Sequence, residues 1–384
     1  MDIGLNEQQE MLKRTAREFL EANCPKKLVR ECEDGELGYS PQLWRQMADL
    51  GWLGLPLPEA YGGLGMGLVD LAVLCEEMGR AAAPGLFHST VVQGALAILE
   101  AGTEAQKQRF LPSVAAGDLL LALALTEPTA SYRPEDLHLS ARREGDGFVV
   151  EGTKLFVADA RVADYLVVVA RTSPGGSDGG GLTLFLVDGR SEGIERVPLD
   201  TIAGDKQCEV TFHGVRVGAE DVLGPVDQAW QPLSRVMDVA TTMKCAEMVG
   251  GMRFALEMSL DYAKQRVAFG RPIGSFQAIQ HKFAQMVTEV DSAYLALYEA
   301  AWRLDEGLSA EVSVSLAKAT ASEAYWHVCY EGHEIHAGVA FFFEHDLQLY
   351  TRRAKAAEHL WGSAAYHRQR MARYLGEEIA ATAR

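Results

Sequence analysis

The spacing of apolar residues changes twice along this sequence, and those changes limit the folds that it can adopt. From 1 to 118 apolar residues recur at helical intervals, whereas from 119 to 226 short runs rich in β-branched residues lie between glycines. Helical spacing returns at 227 and continues to 384. Strands and helices do not alternate, which argues against a Rossmann-type dinucleotide fold. We predict an α+β protein with three domains: 1–118, 119–226 and 227–384.

Capping residues indicate where the first helices begin and end. Asn6, the second residue of the segment LNEQQEMLKRTAREFLEAN, is a candidate N-cap. Ser40 precedes Pro41, which suits the first position of a helix, and Gly51 is a usual stop. The N-terminal domain is therefore predicted to be helical.

The middle region predicts strands, and the last region predicts a helical bundle. FVVEGTKLF, ADYLVVVART, GLTLFLVD and CEVTFHGVRV favour an antiparallel, β-barrel-like domain. Several long segments after residue 227 favour a four-helix bundle. The glycine-rich stretch 173–181 is interpreted as a hairpin connection, because a strand follows it where a phosphate-binding loop needs a helix.

The charge of the chain limits its partners. Its 36 Lys and Arg stand against 53 Asp and Glu, a formal net charge of −17. We expect no binding to nucleic acid or to an anionic membrane, because both repel an acidic surface. The apolar run at 119–125 is too short to span a bilayer.

Cysteine and histidine spacing predicts neither disulfides nor a metal site. The six cysteines form no C-x-x-C pair, which is typical of free thiols in a reducing cytoplasm. The polar residues 1–9 do not resemble a signal peptide, so a cytoplasmic protein is expected. His333 and His336 could share a helix face, but no third residue stands at metal-ligand spacing.

Five motifs occur along the chain in an order that resembles the acyl-CoA dehydrogenase family. They are YGGLG at 61–65, EEMGRAAAP at 76–84, LTEP at 125–128, RVAFGRPIGSFQAIQHKFA at 266–284 and EIHAGVAFFFEHDLQLYTRRAK at 334–355. The last motif resembles a bacterial subgroup that includes steroid side-chain acyl-CoA dehydrogenases. The resemblance covers nearly the whole chain.

The resemblance implies FAD as the cofactor. A guanidinium suits its pyrophosphate, and by resemblance Arg266 binds that group in the site of a neighbouring subunit. Thr126 would contact the flavin ring from its own subunit. The cofactor-binding positions implied in this way are Thr126, Arg266, Phe269, Gln277, Gly338 and Ser363.

The same resemblance implies the partners. The substrate would be an acyl-CoA thioester, which loses two hydrogens to give a 2,3-enoyl-CoA. An electron-transfer flavoprotein would accept the electrons. Because each family site draws on two subunits, we expect a homo-oligomer or a heterotetramer with a related subunit.

The sequence departs from the family at the catalytic base. Many members carry a glutamate in a Y-E-G-T pattern soon after R-D-A-K. Aligning RRAKAAEHLWGS on AK places Trp361 at the glutamate and Ser363 at the threonine. An indole cannot abstract a proton, but the backbone N–H of Trp361 could still hold the thioester oxygen.

Other members place the base on an earlier helix, at a position near Ala240 here. Glu247 lies about two turns later, on roughly the same face. Burial beside neighbours such as Cys245 disfavours the ionised carboxylate and so suits a base. The alternative interpretation is a glutamate paired with a nearby Arg or Lys at a subunit contact. Glu358, one turn before Trp361, is a weaker candidate.

Further departures leave a second function open. The family loop T-E-P-x-A-G-S-D becomes TEPTASYRPED, and Glu334 stands where the family has glutamine. Such changes also suit a non-catalytic subunit that completes the flavin site of a heterotetrameric acyl-CoA dehydrogenase.

Overall fold

The computed structural model describes the backbone of residues 4–382 and the side chains of residues 4–376. Backbone contacts divide the chain into two compact units. The first unit contains the described parts of Met1–Arg30, Gly67–Ala83 and Thr241–Arg384, and the second contains Glu31–Met66 and Pro84–Ala240.

The N-terminal part is helical, as predicted. Its α-helices are α1 (Glu7–Asn23), α2 (Lys26–Asp34), α3 (Pro41–Asp49), α4 (Leu68–Ala81), α5 (Leu96–Ala101) and α6 (Glu104–Ala115), with a π-helical segment at Phe87–Ala95. The predicted caps are confirmed. The Asn6 side chain accepts from the backbone N–H of Gln9, the Ser40 hydroxyl accepts from that of Leu43, and Gly51 follows α3 with a left-handed φ of 75°.

The middle part is a sheet of eight strands. They are β1 (Leu121–Ala124), β2 (Ser140–Glu144), β3 (Gly147–Ala158), β4 (Tyr165–Arg171), β5 (Leu182–Asp188), β6 (Ile194–Leu199), β7 (Gln207–Val217) and β8 (Val222–Leu223). The order is β6-β7-β3-β2-β4-β5-β8, with β1 alongside β4. Residues 173–181 connect the antiparallel strands β4 and β5, as the sequence predicted.

The sheet is mixed, whereas the sequence predicted antiparallel pairing. β1 runs parallel to β4, with Leu121 opposite Tyr165. A parallel pair needs a long crossover, and the β2–β3 hairpin lies between these two strands in sequence. Apolar side chains such as Val150, Val168, Phe185 and Val210 form a core with no solvent exposure.

The C-terminal part is helical, as predicted. It contains α7 (Trp230–Gln265), a hairpin of β9 (Val267–Ala268) and β10 (Arg271–Pro272), α8 (Gln277–Asp305), α9 (Glu311–His336), α10 (Leu347–His359) and α11 (Ala364–Thr382). Helix α9 packs against α8, α10 and α11. In the same unit α4 packs against α1 and α8.

Helix α4 also approaches α7 closely, through two glycines. A Cβ on Gly79 would lie 2.0 Å from the carbonyl oxygen of Glu247, and a Cβ on Gly250 would lie 1.8 Å from that of Glu76. Neither contact leaves space for a side chain, so both positions require glycine.

Two adjacent carboxylates of α4, Glu76 and Glu77, are almost fully buried, with 1% of each exposed. Lys13 Nζ lies 3.0 Å from Glu76, which also accepts from the hydroxyl of Tyr298 at 2.8 Å. Arg17 donates two hydrogen bonds to Glu77, at 2.7 and 2.9 Å. The EEMGRAAAP motif thus ties α4 to α1 and α8 through charged hydrogen bonds.

None of the helices in the described residues is long and apolar enough to cross a membrane.

Candidate active site

The loop after β1 contains Thr126 and is fixed by a buried lysine. Lys154, on β3, donates to the carbonyl of Leu125 at 2.9 Å and to the carboxylate of Glu127 at 2.7 Å. The carbonyl of Thr126 accepts from the N–H of Leu155 at 2.8 Å. The Thr126 side chain itself is half-buried. The backbone on both sides of Thr126 is therefore held from β3.

Glu127 is ionised in this buried setting. Burial, the largest influence, would raise its pKa, but the Lys154 ammonium and the backbone N–H groups of Leu139 and His138 together lower it. Those two N–H groups lie 2.9 and 2.7 Å from the carboxylate oxygens. Sequence reasoning missed Lys154, although a lysine inside the strand pattern EGTKLF was a signal that it has a buried partner.

The hairpin after α7 brings three of the predicted cofactor-binding residues into one short segment. Arg266 precedes β9, Phe269 lies at the turn, and Gln277 is the first residue of α8. The N–H of Ile273 donates to the carbonyl of Arg266 at 2.8 Å and closes the segment. Phe269 has a left-handed φ of 53° and is 96% exposed.

The charged and polar side chains of this segment are available to a ligand. Arg266 and Gln277 are exposed, and among the described side chains neither finds a hydrogen-bond or ion-pair partner. Helix α8 begins without a side-chain cap, so the partial positive charge of its N-terminus lies beside them. A guanidinium, a helix N-terminus and an exposed aromatic ring suit an anionic pyrophosphate with attached rings.

The end of α9 adopts an unusual backbone conformation. Ala337 has φ 54° and ψ −146°, a region that only glycine occupies without strain. The acyl-CoA dehydrogenase family, which this sequence resembles, has glycine at the position of Ala337. The next residue, Gly338, is exposed and has no atom within 4 Å of a built Cβ. Glu334 is also exposed, on the last turn of α9.

Glu247 and Lys244 interrupt a buried stretch of α7. From 241 to 250 all residues except Lys244 and Glu247 are buried. The side chains of Lys244 and Glu247 are 16% and 25% exposed. Lys244 Nζ donates to the Glu247 carboxylate. The sequence left open a desolvated base and an ion-paired glutamate, and the structure places a lysine ammonium against this carboxylate. Sequence reasoning missed Lys244, although its spacing of three residues predicts contact on a helix.

The residues between α10 and α11 form a left-handed turn. Trp361 has φ 62° and Gly362 has φ 100°. His367 Nε2 donates to the carbonyl of Trp361 at 2.8 Å, and Lys318 Nζ donates to the carbonyl of Gly362 at 2.9 Å. Ser363 caps α11, because its hydroxyl accepts from the N–H of Tyr366 at 3.3 Å.

The histidines near the end of α9 form a compact group without a metal-binding arrangement. His336 stacks on Tyr262 with ring centroids 4.3 Å apart and meets His345 edge-on at 4.9 Å. Burial lowers the pKa of His336 to about 4, so its imidazole is neutral. Among the described residues, no three His, Cys, Asp or Glu side chains are placed to hold a metal ion.

Along the sequence the chain has a mixed sheet between two helical parts, with the exposed Arg266 in the hairpin segment after α7. Family models match almost the whole chain. They are the acyl-CoA dehydrogenase N-terminal domain over 6–118, the middle domain over 122–215 and the C-terminal domain over 230–376.

Individual relatives agree with these matches. The probable acyl-CoA dehydrogenase YngJ of Bacillus subtilis is 31% identical over 98% of this chain and 100% of its own length. Butyryl-CoA dehydrogenase from Megasphaera elsdenii is 27% identical, with a TM-score of 0.90 over 98% of this chain and all of its own. The ChsE4-ChsE5 complex from Mycobacterium tuberculosis gives 28% and a TM-score of 0.90, over 98% of this chain and 99% of that chain.

The chain belongs to the acyl-CoA dehydrogenase family, and its cofactor is FAD. The exposed side chains of Arg266, before β9, and Gln277, at the start of α8, fit that cofactor. The α+β architecture predicted from the sequence is confirmed.

Proposed function

We propose that this protein catalyses the α,β-dehydrogenation of an acyl-CoA thioester, giving a 2,3-enoyl-CoA. One observation carries the proposal: Glu247 brings a carboxylate to solvent from a stretch of α7 that is otherwise buried, apart from its partner Lys244. A partly desolvated carboxylate held in one position suits the removal of a weakly acidic proton.

In this mechanism Glu247 accepts the α-proton of the thioester. Lys244 donates to the carboxylate and fixes its position on the helix. The backbone N–H of Trp361 donates to the thioester oxygen, where negative charge develops as the proton leaves. When bound, FAD supplies a flavin that accepts the β-hydrogen as hydride.

Six residues are proposed to contribute to cofactor binding, with Arg266 acting in the site of a neighbouring subunit. Arg266 and Gln277 bind its phosphates and polar edge, and Phe269 packs on an apolar part. Thr126, Gly338 and Ser363 complete the set. The support for Arg266 and Gln277 is their exposure without partners, and for Gly338 the open space around its Cα.

We further propose that a second chain completes each site. Phe269 is 96% exposed, and Phe341, Phe342 and Phe343 are 70%, 66% and 57% exposed. Contiguous exposed phenylalanines are unfavourable in water and indicate a surface that another chain covers. The partner is a second copy of this chain or a related subunit, and an electron-transfer flavoprotein is the proposed electron acceptor.

The first test is the visible spectrum of the chain purified alone. We expect a yellow protein with stoichiometric FAD that is bleached anaerobically by a saturated acyl-CoA, tested from butyryl-CoA to a steroid side-chain thioester. A colourless chain that gains flavin only with a second subunit would mean that this chain alone is not the dehydrogenase.

The second test replaces the base. Glu247→Gln should keep its FAD and lose at least about 100-fold in the rate of flavin bleaching, since general base catalysis contributes 10²–10⁴-fold. Glu257→Gln is the matched control, because Glu257 lies on the same helix and pairs with Arg80. Full activity in Glu247→Gln would remove Glu247 as the base.

A further inference from the structure

Lys318 is a buried lysine that forms no salt bridge among the described side chains, although the Glu358 carboxylate acts on it electrostatically. Its side chain has no solvent exposure. Nζ donates to the hydroxyl of Ser322 at 2.9 Å, to the carbonyl of Glu358 at 3.2 Å and to that of Gly362 at 2.9 Å. Burying a charge is costly, and a lysine kept there must hold its acceptors in place.

His367 approaches the same turn from α11. Its side chain is 1% exposed, and burial lowers its pKa to about 3, so the imidazole is neutral. A neutral imidazole next to a carbonyl must donate, and Nε2 lies 2.8 Å from the carbonyl of Trp361. The proton of His367 is therefore on Nε2.

The turn between α10 and α11 needs such external support. Trp361 and Gly362 both have positive φ, at 62° and 100°. The left-handed region is unfavourable for a residue with a bulky side chain. A Cβ on Gly362 would lie 2.4 Å from the ring of Tyr366, so only glycine fits there.

We propose that Lys318 and His367 are positioning residues for the acyl-CoA reaction. Together they bind the carbonyls of Glu358, Trp361 and Gly362 and so fix the turn whose N–H at Trp361 meets the thioester oxygen. This inference rests on the proposed function. In this proposal Lys318 and His367 fix the position of the Trp361 N–H, although neither side chain contacts the substrate.

Loss of the Lys318 proton need not release the turn. The titratable groups that face Lys318 are Cys245 and Lys244 on α7, Glu358 on α10 and His367 on α11, and burial is the main cause that lowers its pKa to about 8. A neutral amine can accept from the Ser322 hydroxyl and still donate to both carbonyls. The two carbonyl bonds, rather than the charge, are the functional element.

The test compares variants that remove or keep these donors. Lys318→Met and His367→Leu remove them, whereas His367→Gln keeps an N–H donor. We expect Lys318→Met and His367→Leu to lose about 10- to 100-fold in kcat, as expected for a displaced catalytic group, with a smaller change in KM. His367→Gln should recover most of the loss. Lys355→Met, on α10, is the control and should keep the wild-type kcat.

Amide hydrogen exchange gives a readout that is independent of turnover. In the FAD-bound protein, amides of residues 359–367 should exchange at least about 10-fold faster in Lys318→Met and His367→Leu than in the wild type. Unchanged exchange, or faster exchange with unchanged kcat, would overturn the positioning role. If none of the thioesters reduces the flavin of the wild-type protein, the proposed function itself is overturned. That failure is seen before any variant is made.

Discussion

Two buried lysines, Lys154 in the sheet and Lys318 in the C-terminal helices, fix loops of the candidate site by different means. Both side chains have no solvent exposure, and both donate to backbone carbonyls of a loop. Lys154 also has a carboxylate partner, Glu127, at 2.7 Å. Lys318 donates to a hydroxyl and two carbonyls, and it forms no salt bridge among the described side chains. Lys154 thus fixes the loop after β1 as a member of an ion pair, whereas Lys318 fixes the turn between α10 and α11 without one.

The difference predicts which site tolerates substitution. Removing one member of a buried ion pair leaves an uncompensated charge, which is strongly destabilising. Removing Lys318 leaves neutral carbonyls without a donor, which is less costly. Four predictions follow in order of expected size.

Glu127→Gln should have the largest effect on stability. The substitution leaves the Lys154 ammonium buried without its counter-charge, so the free energy of unfolding should fall by about 3–5 kcal/mol. Urea unfolding followed by circular dichroism would measure it. A loss smaller than that of Lys318→Met, measured in parallel, would reverse the comparison.

The pH dependence of stability should distinguish a titrating Lys318 from a permanently charged one. Burial lowers its pKa from 10.5 to about 8, so between those values the unfolded chain binds more protons than the folded chain. The contribution of Lys318 to the free energy of unfolding therefore rises with pH in that window, by at most about 3 kcal/mol. The difference between wild type and Lys318→Met should grow from pH 8 to 10.5. A constant difference would contradict the lowered pKa.

At neutral pH Lys318→Met should be milder than Glu127→Gln. Two buried carbonyls lose their donor, and the loss in the free energy of unfolding should be about 1–3 kcal/mol. The same urea experiment measures it, with Lys355→Met as a control that should change stability by less than about 1 kcal/mol. A loss equal to that of Glu127→Gln would show that the two lysines do not differ.

Ala337→Gly should have the smallest effect, and it should be stabilising. At φ 54° and ψ −146° alanine is strained, and glycine relieves that strain. We expect a gain of about 1 kcal/mol in the free energy of unfolding, seen as a higher Tm. Gly338→Ala is the matched control, because a methyl group added there has open space around it. Comparing the Tm changes of the two variants separates the effect of backbone conformation from that of the methyl group. A lower Tm in Ala337→Gly would show that the alanine side chain contributes packing that outweighs the strain.

Much of the fold could be predicted because its determinants are local. The caps at Asn6 and Ser40 act within a few residues, and so does the alternation that defines the strands. The parallel pairing of β1 with β4 could not be predicted in this way. It depends on contacts between segments about 40 residues apart, which neither periodicity nor turn residues reveal.

The candidate site also contains residues that local sequence could indicate and residues that only long-range contacts reveal. Resemblance predicts a cofactor-binding role for the hairpin residues Arg266 and Phe269, because their motif is contiguous in sequence. It could not identify Lys318 or His367, whose importance comes from the carbonyls that they reach 44 and 6 residues away. A lysine within the apolar pattern SLAKATAS was the only local signal.

The glycine contact between α4 and α7 also has a use in enzyme redesign. A methyl group at position 79 would clash with the backbone carbonyl of Glu247. The close approach of α4 at Gly79 therefore helps to set the position of Glu247, including its carboxylate. In the proposed mechanism, substitutions at residues that flank Gly79 and shift α4 would therefore move Glu247 indirectly. The proposed base would then move although none of the residues proposed to contact the substrate or the cofactor is changed.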